Sequence, residues 1–206
     1  VVGIDFDVSP GAQAEVEKKG GTARVFKADL GRESGALELV GEVEAAFGRL
    51  DILVNNFGPI IVKLWTELTD GDWQDMYRSV FLSAVHCGRA ALPGMRARGW
   101  GRIVNIGYHR VEQLTAFTGI AAYAVAKTAL LIQTRSAAVS ELKAGITVNM
   151  VSPGLIEGGI MPAGGKVGPE FFGKAADVAE AVAFLASERA GHITGTNLVV
   201  AGTWKL

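Results

Sequence analysis

A single cysteine, Cys87, stands in 206 residues, so an internal disulfide is excluded. It falls in a helical stretch, where a small buried thiol is the expectation, and a reducing, cytoplasmic setting follows. Charge of one sign is also missing. Twenty basic residues face 21 acidic ones, for a net charge of -1, and neither sign gathers into a long block. A nucleic-acid or anionic-membrane surface therefore has no electrostatic footprint here. Mean hydropathy is positive at +0.28, yet no apolar run approaches the roughly 18 to 20 residues that a bilayer span needs. No basic segment of a signal peptide opens the sequence. The three histidines, His86, His109 and His192, are far apart with no cysteine or carboxylate at ligand spacing, which disfavours a metal site. Prolines number only 6, and no linker-like stretch or internal repeat divides the chain, so one domain over 1–206 is expected.

What is present is a large apolar fraction, 49%, and 27 glycines, which point to a substantial core and many tight loops. Short apolar runs alternate with longer amphipathic segments, the βαβ rhythm of a parallel sheet covered on both faces. Strands are predicted at 1–6, 23–28, 50–55, 102–106, 146–151 and 197–200, and helices at 11–19, 34–47, 70–98, 121–142 and 175–187. Thr69 or Asp70 can cap the third helix, and Pro93 should kink it near its end. The helix at 121–142 is apolar on more than one face, as in an oligomer contact. Between 153 and 174 the pattern breaks into Gly, Pro and isolated apolar residues, the look of a functional lid.

Ligands of open parallel sheets bind beyond the carboxyl ends of the strands. Five consecutive strand ends here carry polar or glycine residues: Asp5, Asp29, Asn55-Asn56-Phe57-Gly58, Gly107-Tyr108 and Ser152-Pro153-Gly154. Taken singly each reads as a turn or cap, Asp29 above all. Together they mark a site. Tyr123 and Lys127 lie four apart on a helix and so share a face. An ammonium beside a phenol stabilises the phenolate, so Lys127 is expected to draw the Tyr123 pKa down from about 10 and make the tyrosine an acid/base group. Ser152 has no His/Asp arrangement near it, which disfavours a serine hydrolase.

These residues resemble the short-chain dehydrogenases/reductases, and within them the branch of the 3-oxoacyl-acyl-carrier-protein reductases. The resemblance runs through nearly the whole chain. It is carried by Asp29-Leu30, Leu50-Asp51-Ile52-Leu53-Val54-Asn55-Asn56-Phe57-Gly58, Gly101-Arg102-Ile103-Val104-Asn105-Ile106, the Tyr123/Lys127 pair, Ile146-Thr147-Val148-Asn149-Met150-Val151-Ser152-Pro153-Gly154 and Ile193-Thr194-Gly195. It implies a Rossmann-type doubly wound parallel sheet and hydride transfer between a nicotinamide cofactor and a ketone or secondary alcohol. Tyr123 then looks like the general acid, and Lys127 the holder of the nicotinamide ribose. Asp29 and Leu30 would flank the adenine, the backbone of Asn56, Phe57 and Gly58 would lie along the adenosine ribose, and Pro153, Gly154 and Ile156 would border the nicotinamide. Asp5 occupies the place of an acid that accepts from both adenosine-ribose hydroxyls; a carboxylate there repels a 2′-phosphate, which implies NAD over NADP. A homotetramer or homodimer through the helices from Asp70 and Ala121 is implied as well.

Four positions depart from the family pattern. Tyr108 takes the place of the serine that bonds the substrate oxygen, with His109 and Thr115 as nearby alternatives. A tyrosine can donate, but its hydroxyl projects farther. Val80 replaces an asparagine that holds a relay water, Phe57 a small residue, and Gly158 a threonine. Losing placed donors costs orders of magnitude in rate, so a divergent reductase is expected, with a catalytically weak scaffold as the alternative. The family's first strand and Gly-rich turn, which cradle the pyrophosphate, have no counterpart in the sequence, since Val1 aligns with the second strand. That strand would sit between the strands beginning at Val1 and Leu50, so either a longer natural chain supplies it or another segment fills the slot.

Overall fold

The computed structural model describes residues 2–4, 11–159 and 167–204. Its core is a four-stranded parallel sheet in the order β3 (Ile52–Asn55), β4 (Gly101–Ile106), β5 (Ile146–Pro153), β8 (Asn197–Val200). β4 and β5 are covered on both faces, and their apolar residues Ile103, Val104, Ile146, Val148, Met150 and Val151 are all buried. A second parallel pair, β1 (Val2–Ile4) with β2 (Arg24–Phe26), is not hydrogen-bonded to the larger sheet among the described residues. Both the α/β class and the parallel sheet expected from the periodicity are present.

Helices flank the sheet: α1 (Ala12–Lys18), α2 (Glu33–Phe47), α3 (Asp70–Met76), α4 (Ser83–Arg98), α5 (Ala121–Glu141) and α6 (Ala175–Ala186). In α2 the helically spaced Ala36, Leu39, Val40 and Val43 are buried, several of them in one cluster with Cys87, Ala91 and Met95 of α4. Thr69 is the N-cap of α3. Its hydroxyl accepts from the Asp72 amide at 3.1 Å, and the Asp72 carboxylate accepts from the Thr69 amide at 2.8 Å. The helix expected over 70–98 is not uniform, because a π-helical turn at Tyr77–Leu82 joins α3 to α4. Such turns often mark functional sites, and this one carries the buried Val80.

The segment between 153 and 174 also differs from a plain loop. Leu155–Ile156, as β6, pairs in parallel with Phe172–Gly173, as β7, so two-residue strands pin both ends of the segment. Sequence periodicity does not register strands that short. Among the described residues β3 is an edge of the sheet, with Ile52 and Val54 43% and 41% exposed.

Candidate active site

β4 delivers the site. Its last residue, Ile106, is followed by Gly107, where a Cβ would lie 2.4 Å from the Ser152 hydroxyl oxygen of β5, so only glycine lets the two strand ends converge. The convergence places Tyr108 beside α5. There the Tyr108 and Tyr123 rings stand 5.8 Å apart between centroids, and the Lys127 ammonium is 5.6 Å from the Tyr123 ring centre. Lys127 is 2% exposed, and its Nζ donates to the Ile106 carbonyl at 2.5 Å. Behind the pair a buried amide relay fixes the strands. Asn55 Nδ2 donates to Asn105 Oδ1 at 2.8 Å, Asn105 Nδ2 to the Thr134 hydroxyl at 2.8 Å, and that hydroxyl to the Leu130 carbonyl at 2.7 Å. These bonds tie β3, β4 and α5 into one frame.

The protonation of the pair is set by burial. Desolvation disfavours the charged form of each, pushing Tyr123 up to about 12 and drawing Lys127 down to about 8. Burial of the phenol therefore outweighs the expected lowering of the Tyr123 pKa by Lys127. Tyr108 is raised too, by burial first and then by Tyr123. It is 9% exposed and packs with Ala124, Leu130, Leu131 and Met150. Its hydroxyl is buried beside that of Thr128, and so presents no donor to an open cleft.

Of the other residues singled out in the sequence, Gly58 stands at the pair: a Cβ there would be 3.4 Å from Val80 Cγ2 and 3.6 Å from Lys127 Nζ. Asn56 is exposed and Phe57 half-buried on the same loop. Pro153, Gly154 and Ile156 line the neighbouring strand end, half-buried. Gly154 crosses β8 so closely that a Cβ would sit 2.7 Å from that of Ala201. Asp29 forms a turn of its own, its carboxylate accepting from the Gly31 amide at 3.1 Å and pairing with Arg32 at 3.4 Å. Leu30 is buried against α2 and α4. Asp5 lies outside the described residues.

The family model described as "Enoyl-(Acyl carrier protein) reductase" matches residues 1–203. The chain belongs to the short-chain dehydrogenases/reductases, as a 3-oxoacyl-acyl-carrier-protein-reductase-like member. It is 37% identical over 179 residues to the 3-oxoacyl-acyl-carrier-protein reductase FabG of Haemophilus influenzae, covering 80% of this chain and 71% of that one. It is 34% identical over 212 residues to the 7alpha-hydroxysteroid dehydrogenase of Clostridium sardiniense, covering 94% and 78%. An Agrobacterium tumefaciens structure assigned as a gluconate dehydrogenase superposes with a TM-score of 0.87 at 29% identity, covering 98% of this chain and 84% of that one. Members of this family are oxidoreductases that work with a nicotinamide cofactor.

Within this short-chain dehydrogenase/reductase the nicotinamide end of a cofactor fits the residues present. Lys127 has three donors, of which the Ile106 carbonyl takes one. The bare Cα of Gly58 leaves the loop close above it. Two contributors were not singled out from sequence. Glu112 bridges the loop after Tyr108 to both α5 and β8, pairing with Arg135 and accepting from Asn197 Nδ2 at 3.1 Å. Asn197 in turn accepts from the Ser152 hydroxyl at 2.6 Å. Trp204 packs on its own chain, 5.3 Å from the Phe171 ring and 6.4 Å from that of His109. No helix among the described residues is long and apolar enough to cross a membrane.

Proposed function

We propose that this protein reduces a ketone, or in reverse oxidises a secondary alcohol, with Tyr123 as the proton donor to the carbonyl oxygen. The observation that carries the reading is the pairing of half-buried Tyr123 with buried Lys127 at the end of β4, 5.6 Å from ring centre to ammonium. When bound, the nicotinamide supplies the hydride to the carbonyl carbon, and the phenol proton passes to the oxygen, giving the alcohol. With its pKa pushed up to about 12, Tyr123 holds that proton at every ordinary working pH. Lys127, on releasing the Ile106 carbonyl, has the reach to hold ribose hydroxyls and to stabilise the phenolate left behind. Pro153, Gly154 and Ile156 border the nicotinamide in this reading, and Asn56, Phe57 and Gly58 the adenosine ribose.

Tyr108 is assigned the wall beside Tyr123 rather than a second proton. Its buried hydroxyl supports that role over the serine-like one. Asp5 favours NAD over NADP, because a carboxylate at that position repels a 2′-phosphate. The pyrophosphate needs a Gly-rich turn, which none of the described residues forms, and the open edge of β3 leaves a place for the strand that would carry one. The exposed Val125, Ile132 and Val139, seven apart on α5, support a homo-oligomer through that helix, as a dimer or tetramer. A panel of ketones offered with NADH and with NADPH tests the reading; kcat/KM should be larger with NADH, and no turnover of any ketone with either cofactor would overturn it.

A further inference from the structure

A line of rings runs from the end of the chain to the catalytic tyrosine. Phe171, on the segment leading into β7, meets Trp204 edge-on at 5.3 Å. Trp204 meets His109 at 6.4 Å, His109 stands nearly perpendicular to Tyr108 at 6.3 Å, and Tyr108 meets Tyr123 at 5.8 Å. All four separations fall within the range of favourable ring pairs. The backbone on each side of Trp204 is also held. Its own amide donates to the Ala201 carbonyl at 3.0 Å, Gly154 to the Val200 carbonyl at 2.9 Å, His109 to the Pro153 carbonyl at 2.9 Å, and Glu157 to the Gly173 carbonyl at 3.0 Å.

Three separate pieces of chain therefore meet at one indole: the residues after β8, the stretch around β7 and the loop after β4. The last two flank the edge where the Tyr123/Lys127 pair stands. The stretch around β7 is not fixed by a long ladder, since β6 and β7 contribute two residues each. From this we infer that Trp204 is a positioning residue, which ties the stretch around β7 to the Tyr108 loop and so sets the width of the space in which a carbonyl substrate meets Tyr123. It acts on substrate fit and not on proton transfer. The inference rests on the oxidoreductase reading of the same site, but the tie itself is a property of the fold and can be measured without turnover.

The test compares Trp204→Ala, Trp204→Phe and the unaltered chain in two ways. Amide hydrogen exchange is followed at 107–111 and 171–173. It should quicken about tenfold or more in Trp204→Ala and return toward the unaltered rates in Trp204→Phe, which keeps a ring. Reduction of ethyl acetoacetate with NADH should show KM raised about tenfold in Trp204→Ala with kcat within about threefold, again recovered by Trp204→Phe. Unchanged exchange in both segments, or an unchanged KM with a fallen kcat, overturns the inference. If Trp204→Ala also loses protection across β4 and β5, its fold has failed, and Phe171→Ala, which removes the ring on the other side of the contact, decides by the same exchange at 107–111. An unaltered chain that binds no cofactor and reduces no ketone sinks the oxidoreductase reading alone, and the exchange rates still decide for Trp204.

Discussion

Lys127 gives its ammonium to the Ile106 carbonyl at 2.5 Å while lying 5.6 Å from the centre of the Tyr123 ring, so the strand end and the phenol compete for one buried cation. That arrangement fixes both the charge state of the resting site and its response to pH.

The folded chain releases the Lys127 proton at about 8, whereas an unfolded lysine keeps it to about 10.5. Between those values the unfolded state binds more protons, so stability rises with pH across the window. Tyr123, pushed up to about 12, works in the opposite sense above about 10, where the unfolded chain loses a phenol proton that the folded chain retains. The buried Cys87 thiol, pushed up to about 11 from about 9, opposes the gain above about pH 9, so urea midpoints should climb from pH 8 to about 9, level off and turn down beyond 10, and Lys127→Met should lose the climb. In the same way kcat/KM for reduction should fall above about pH 8, as the cation is lost.

Tyr108 separates shape from chemistry. Tyr108→Phe removes a buried hydroxyl whose neighbour is Thr128 and keeps the ring, so stability should fall by no more than about 1.5 kcal/mol and kcat should change by less than about threefold. Tyr108→Ser empties a ring's volume from the cluster with Leu131 and Met150, at a cost of about 3 to 5 kcal/mol. Thermal denaturation and steady-state rates read both. A large loss of kcat in Tyr108→Phe would instead make the hydroxyl a substrate donor.

The α5 stripe makes a claim about assembly. Ile132 is 63% and Val139 83% exposed, and a charge at a contact centre is costly to desolvate. Ile132→Glu should shift sedimentation toward a monomer, whereas Glu15→Lys, on the exposed α1, should leave the oligomer unchanged.

Much of this was legible because the strong signals are local or motif-bound. β4 and β5 are rich in apolar residues since both faces are covered, and Tyr123 and Lys127 share a face by helical geometry alone. Asn55 and Asn105 stood out as motif letters, but their hydrogen bond across two strands depends on register. What stayed hidden is long-range or contrary to local expectation. Glu112 looks like a solvated loop acid until the fold brings Asn197 and Arg135 to it. Trp204 gives no sign in sequence that the tail turns back over Phe171. Tyr123 and Lys127 invite a lowered phenol pKa, and only the depth of their burial reverses the direction.

The reading stands or falls on Tyr123 as proton donor. The direct measurement is steady-state reduction of a ketone with NADH by the unaltered chain and by Tyr123→Phe, with cofactor binding followed separately by fluorescence. Tyr123→Phe should lose about two to four powers of ten in kcat while binding NADH as before. Equal turnover by the two proteins would contradict the account.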